Sequence, residues 1–173
     1  MNTYKTASSE LKAFWDALTG ISHYIKCNSC SRCCDLDNIY LFPFEKDFYE
    51  NQGIRTVEID GMDFFRKKSS WCPYLSKNGC SIYEYRPIGC RLFPLEVIYR
   101  DEKLYWMRFS AEHCMKNLNP DISQRNVTQY FIVRQLTSML KPYSDFIIRR
   151  NNIEKIIDIY KSEHLNYHKI KEF

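Results

Sequence analysis

The segment Cys27-Asn28-Ser29-Cys30-Ser31-Arg32-Cys33-Cys34 packs four thiols into eight residues, and it constrains the chain more than any other stretch. Apart from Arg32, its residues are small or polar and show no apolar periodicity. It therefore reads as a loop shaped by what it binds and not by a core. A second group lies downstream: Cys72 before Pro73, then Cys80, Cys90 and Cys114, which completes the eight cysteines of the chain. The simplest reading is that the two groups converge on a bound metal centre held by the rest of the chain.

With 173 residues the chain fits one domain, 1–173, and can bury a core without cross-links. The stretch Met1 to Ser9 is polar and has no apolar h-region, and no run approaches eighteen apolar residues. Both features lead us to expect no membrane span and a cytoplasmic location, where thiols stay reduced and dense cysteines signify metal or redox chemistry before disulfides. Vicinal residues such as Cys33 and Cys34 are also poor disulfide partners for each other. The net charge of +4, from 25 basic and 21 acidic residues, comes without a Lys/Arg stripe, which argues against a nucleic-acid partner. Arg149-Arg150 is the densest basic pair and reads as a solvated helix face.

The expected architecture is α+β: a small cysteine-rich metal-binding core over about 27–114 with short β-hairpins, flanked by an N-terminal helix and C-terminal helices. Leu11, Phe14, Trp15 and Leu18 recur at i, i+3, i+4, i+7, which predicts a helix capped by Ser8 or Ser9 and ended by Gly20. Its aromatic stripe reads as core. Ile39-Tyr40-Leu41-Phe42 predicts a strand, and Pro43 opens a short helix through Glu50 that Gly53 closes. Asp60-Gly61 predicts a hairpin over Thr56 to Phe65, and Asn78-Gly79 predicts a turn that places Cys80. Pro87 discourages helix at Arg86. Leu95 to Tyr99 and Leu104 to Phe109 predict a second hairpin around Asp101-Glu102. A C-terminal helical segment spans about 120–163. Its first helix starts at Asn119-Pro120-Asp121, with Gln124 in a capping box and Val127, Phe131, Leu136 and Leu140 on its apolar face. Pro142 breaks it. Ser144 then caps a helix to about Glu163 with Phe146, Ile153, Ile157 and Tyr160 on one side, and the tail from His164 frays.

Thiolates are soft anionic ligands that suit Zn²⁺ and iron–sulfur clusters and not Mg²⁺ or Ca²⁺. The spacing Cys27-x₂-Cys30-x₂-Cys33 matches the bacterial ferredoxin run, whose remaining cysteine precedes a proline as Cys72 precedes Pro73 here. Structural zinc more often pairs two separated C-x₂-C knuckles, and the second group has none. The spacing thus leans toward an iron–sulfur cluster of the 4Fe–4S type, with zinc in one or two sites as the alternative. The expected metal ligands are Cys27, Cys30, Cys33, Cys34, Cys72, Cys80, Cys90 and Cys114. Eight thiolates exceed the need of one cluster, so some can serve a second site, redox chemistry or packing.

The motifs Cys27-x₂-Cys30-x₂-Cys33-Cys34, Cys72-Pro73-Tyr74-Leu75, Gly79-Cys80-Ser81-Ile82-Tyr83-Glu84 and Arg86-Pro87-Ile88-Gly89-Cys90-Arg91-Leu92-Phe93-Pro94 together resemble the CxxCxxCC (YkgJ-like) cysteine-cluster family. That family is described as a zinc- or iron-chelating domain with eight cysteines, and the resemblance covers roughly residues 27 to 114 with all eight positions present. Flagellin lysine N-methylases carry a similar cysteine module, so the resemblance also implies one enzymatic reading, a cluster-containing protein lysine methyltransferase.

Cations and N–H donors near thiolate centres offset their negative charge and tune their potential. Arg32, Arg86 and Arg91 are the candidates, Arg91 first because Pro87 and Pro94 stiffen the loop around it. His113 adjoins Cys114, and Tyr83 and Tyr85 are expected to pack around the cysteine loop. No nucleophile–base pair, Gly-rich phosphate loop, H-E-x-x-H or Rossmann fingerprint is present. Three functions remain in view: an iron–sulfur carrier or electron-transfer module, the methyltransferase, and a zinc-stabilised module that recruits a protein partner through the C-terminal helices.

Overall fold

The computed structural model describes residues 7–24, 39–65, 72, 74–93, 95–110, 133–154 and 166–172. They form an α+β protein of short helices and antiparallel strand pairs. The chain divides into two compact units, one of Met1–Thr19 and Cys27–Arg91 and the other of Gly20–Lys26 and Leu92–Phe173.

Helix α1 (Ser9–Tyr24), which belongs to the first unit as far as Thr19, starts where Ser8 caps it: the Leu11 N–H donates to Ser8 Oγ at 3.1 Å. Leu11, Phe14, Trp15 and Leu18 are all buried, as their spacing predicts. Gly20 does not end this helix, which continues to Tyr24. A glycine inside a helix costs only about 1 kcal/mol relative to alanine, so the helix can absorb it. β1 (Tyr40–Leu41) pairs with β3 (Met62–Phe65), and β3 with β2 (Thr56–Ile59), in a three-stranded antiparallel sheet of order β1-β3-β2. The Asp60-Gly61 turn between β2 and β3 has φ of 51° and 74°, the pair of left-handed residues that a two-residue hairpin of right-handed twist requires.

Pro43 and Phe44 lead through Glu45 into α2 (Lys46–Asn51), which begins three residues later than the sequence suggests, and Gly53 follows it at φ 75°. The core of this unit is aromatic. Trp15 meets Phe48 edge-on at 5.1 Å between centroids, Phe48 meets Tyr49 at 5.0 Å, Tyr49 meets Phe65 at 4.9 Å, and Phe65 meets Tyr74 at 5.5 Å. Such pairs add about 0.5–1.5 kcal/mol each beyond area burial. The series runs from α1 to the segment that follows Cys72.

In the second unit, β6 (Leu95–Arg100) and β7 (Lys103–Ser110) form the expected hairpin, with Arg100 opposite Lys103. Both turn residues are left-handed, Asp101 at φ 51° and Glu102 at φ 61°. β8 (Asn166–Glu172) pairs with β7, so the tail expected to fray is a strand of a sheet ordered β6-β7-β8. Asn166 to Glu172 carries little apolar alternation, and its pairing with β7 is a long-range choice that local pattern does not reveal.

Residues 133–140 form α4, with Val133, Leu136 and Leu140 buried. Lys141–Tyr143 is a 3₁₀ turn at Pro142, and α5 (Ser144–Glu154) follows. Ser144 does not cap α5. Its hydroxyl donates backward to the Lys141 carbonyl at 2.7 Å. The buried face of α5 is Ile147, Arg150 and Asn151, while Phe146 is half-buried, so the predicted apolar face is rotated. Arg149 is exposed as read, but Arg150 is 4% exposed, because it forms a two-pronged pair with Glu96 at 2.6 and 2.9 Å. Asn151 accepts from the Tyr99 N–H and donates to the Val97 carbonyl, both at 3.2 Å, and so satisfies backbone groups of β6 at the sheet edge. The expected helix start at Asn119 to Gln124, with Val127 and Phe131, and the helix beyond 154 lie outside the described residues.

Candidate metal centre

Cys72, Cys80 and Cys90 fall among the described residues, all three in the first unit. The Leu75 N–H donates to the Cys72 carbonyl at 3.0 Å, closing a turn just after the cysteine. β4 (Leu75–Ser76) then pairs with β5 (Gly79–Cys80), which sets Cys80 directly opposite Leu75. Gly79 has φ 99°, a conformation that L side chains rarely adopt, and Ser76 Oγ donates to its carbonyl at 2.8 Å. The expected turn therefore places Cys80 as read, with Lys77 and Asn78 as its two central residues. Cys72 is buried, and Cys80 and Cys90 are half-buried.

Cys90 sits on a short helix, α3 (Ile88–Leu92), that the sequence reading missed. Arg86 is extended, as Pro87 demands, at φ −65° and ψ 154°. The same proline opens the helix, since a residue without an N–H is well placed in a first turn. The Arg91 N–H donates to the Pro87 carbonyl at 3.0 Å.

Of the residues expected to surround the centre, Arg91 packs against α1. Its guanidinium lies 5.2 Å from the Trp15 ring centroid, and it donates to the Arg86 carbonyl at 3.2 Å and to the Glu84 carbonyl. Burial lowers its pKa from the usual arginine range. Arg86 stacks over Tyr83 at 3.9 Å and donates to the Tyr83 carbonyl at 3.0 Å. Tyr85 contributes its carbonyl, which accepts from the Tyr49 hydroxyl at 2.8 Å. Tyr49 is fully buried, and burial is the first cause that pushes its pKa well above the usual phenol range. The charges of Glu45, Cys90 and Cys80 raise it further. One phenol thus feels both Cys80 and Cys90. Tyr74 is raised likewise, by burial first and then by Cys72.

Glu45 is the residue that sequence reasoning overlooked. It is 0% exposed, and its carboxyl group accepts the Phe42 N–H on Oε2 and the Ile88 N–H on Oε1, each at 2.9 Å. Burial pushes its pKa up to about 8, against the opposing pull of both N–H donors and of Arg91. The Phe42 contact is local: the Glu45 carboxyl group reaches back three residues across the turn at Pro43 and Phe44. The contact with Ile88 spans 43 residues and has no local signal.

The donor set is soft and all-thiol, which fits zinc or iron and not a hard cation. Among the described residues no three His, Cys, Asp or Glu side chains come together as a metal-holding group, so Cys72, Cys80 and Cys90 do not make one by themselves. Cys27, Cys30, Cys33, Cys34 and Cys114, with Arg32 and His113, lie outside the described residues. A family model described as "CxxCxxCC: Putative zinc- or iron-chelating domain" matches residues 26–115, a span that contains all eight cysteines. Neither a curated protein nor a solved structure matches the chain.

Proposed function

From the premise that this chain belongs to the CxxCxxCC family of zinc- or iron-chelating domains, we propose that it holds an iron–sulfur cluster of the 4Fe–4S type through its cysteine constellation. The observation that carries the choice of cluster is the unbroken Cys27-x₂-Cys30-x₂-Cys33 run together with Cys72-Pro73, all within the matched span. Cys27, Cys30 and Cys33 share the cluster with one member of the second group, Cys72, Cys80, Cys90 or Cys114, and the cysteines left over, Cys34 among them, serve a second site, redox chemistry or packing. When bound, an all-thiolate centre supplies one-electron redox capacity without an open position for substrate. That makes electron transfer or structural bracing the role, in preference to substrate chemistry.

The chain's own residues prepare that environment. Tyr49, Phe65 and Tyr74 pack edge to face, and the charges of Cys80 and Cys90 act on Tyr49 and that of Cys72 on Tyr74. Arg91 supplies the candidate cation: its charge acts on Tyr49, the phenol on which Cys90 and Cys80 also act, and near a thiolate centre such a charge would offset the negative charge.

Iron and acid-labile sulfide analysis with a visible spectrum, on anaerobically purified protein, tests the proposal. Iron and sulfide in equal amounts with a broad thiolate-to-iron absorption are expected. A colourless protein carrying zinc overturns the cluster and leaves the zinc-stabilised module, whose further sign is unfolding by chelator.

A further inference from the structure

We propose that Glu45 is a positioning residue of the metal centre: its buried carboxyl group fixes Cys90 by fastening the start of α3 to the turn after β1. The proposal rests on the thiolate reading above, because it takes Cys90 as a ligand.

Ile88 is the first residue of α3, and Cys90 is two residues further on. A five-residue helix has too few internal hydrogen bonds to hold its own orientation, so what grips its first turn sets where Cys90 points. Glu45 grips it through the Ile88 N–H. Through the Phe42 N–H the same carboxyl group is tied to the residue that follows β1.

A second contact joins the same two segments. A Cβ built on Gly89 would lie 2.8 Å from two ring carbons of Tyr40, which belongs to β1 and is itself buried. Cys90 therefore follows directly on a residue pressed against β1, in a turn bolted to the end of β1. On its other side, Arg91 is held by the carbonyls of Glu84 and Arg86.

The chemistry of the bridge explains why the residue is glutamate. Two backbone N–H groups from distant segments converge on one buried side chain, and each takes its own carboxyl oxygen, so both are satisfied without sharing an acceptor. Glutamine would present an amide NH₂ to one of them, and aspartate is one methylene short.

Supporting groups outside the ligand shell typically cost 10–100-fold in metal affinity when removed. The test uses the full-length chain, anaerobic and metal-free, titrated with Zn²⁺ alone in chelator competition and with Co²⁺ alone for its ligand-field bands. Three proteins are compared: wild type, Glu45→Gln, and Glu96→Gln. The last weakens a buried pair with Arg150 in the other unit and controls for lost stability without touching the α3 bridge.

The expected result is an affinity loss of about tenfold or more for Glu45→Gln with an altered Co²⁺ spectrum, while Glu96→Gln keeps wild-type affinity and spectrum at a lower urea midpoint. Equal affinity and spectrum for wild type and Glu45→Gln overturn the proposal. So does an equal loss in both variants, which would mean that stability alone governs binding. A wild type that binds neither metal, and carries no iron as purified, overturns the thiolate reading instead.

If Glu45→Gln does not fold, hydrogen exchange on the wild type decides. Coupling is reciprocal, so metal that depends on the bridge must strengthen the bridge. Slower exchange of the Phe42 N–H on Zn²⁺ loading is expected, and an unchanged rate overturns the proposal.

Discussion

Glu45 and Glu96 are the buried glutamates among the described residues, one in each unit, and they are satisfied in opposite ways. Glu96 faces a cation. Arg150 meets both its oxygens, at 2.6 and 2.9 Å, and the Val97 N–H adds a third contact at 3.0 Å. Glu45 is held by two backbone N–H groups, with Arg91 only a distant influence, and burial drives its pKa up to about 8. The first arrangement docks a helix on the edge strand of a sheet. The second ties the residue after β1 to the first turn of α3, the helix that carries Cys90. An ion pair fixes two side chains, whereas a carboxyl group that takes two amides fixes the backbone itself.

The largest expected effect breaks the Glu96 side of the comparison. Arg150→Met leaves a buried carboxylate without its partner, and removing one member of a buried pair typically costs about 3–5 kcal/mol. Urea denaturation should show that loss, and Glu96→Leu combined with Arg150→Met should recover most of it. If the double variant is no better than the single one, Glu96 is not the source of the cost.

Next comes pH. The folded pKa of Glu45, about 8, lies above its ordinary value of 4.5, so the folded state holds the proton more tightly. Its contribution is complete below the ordinary value, falls as pH rises, and is lost above about 8. The slope in that window is at most about 1.4 kcal/mol per pH unit. Wild type should therefore lose stability as pH rises from about 4.5 to about 8, and Glu45→Gln should lose less. Parallel curves would remove Glu45 as the titrating group.

At fixed neutral pH, Glu45→Gln leaves one amide facing an NH₂ group, and an unsatisfied buried donor costs about 1–3 kcal/mol. The smallest effect belongs to Gly89→Ala. Its new methyl group meets the Tyr40 ring, and over-packing of this kind costs about 1–3 kcal/mol, at the lower end if the ring can shift. A neutral result in urea would mean that the end of the Tyr40 side chain moves freely and that Gly89 does not help fix Cys90.

The same contrast separates what the sequence disclosed from what it concealed. The buried stripe of α1 was legible because Leu11, Phe14, Trp15 and Leu18 are apolar at helical spacing. The hairpin at Asp60-Gly61 was legible because few residues tolerate its left-handed turn. The buried face of α5 was not, because two of its members, Arg150 and Asn151, are polar and find their partners in β6. β8 was hidden for a related reason: its pairing with β7 joins residues far apart in sequence. The eight cysteines announce themselves by type and spacing. Glu45 does not, since half of its bridge lies 43 residues away. Cysteines are legible by their chemistry, while a carboxyl group that bridges distant segments is legible only once the chain is folded.

The central claim is a metal held by cysteine sulfur alone. X-ray absorption at the metal edge, on protein purified anaerobically with the metal it acquires in the cell, tests it most directly. The account predicts a first shell made entirely of sulfur at about 2.3 Å, with an iron–iron shell beyond it. A shell dominated by nitrogen or oxygen would contradict it.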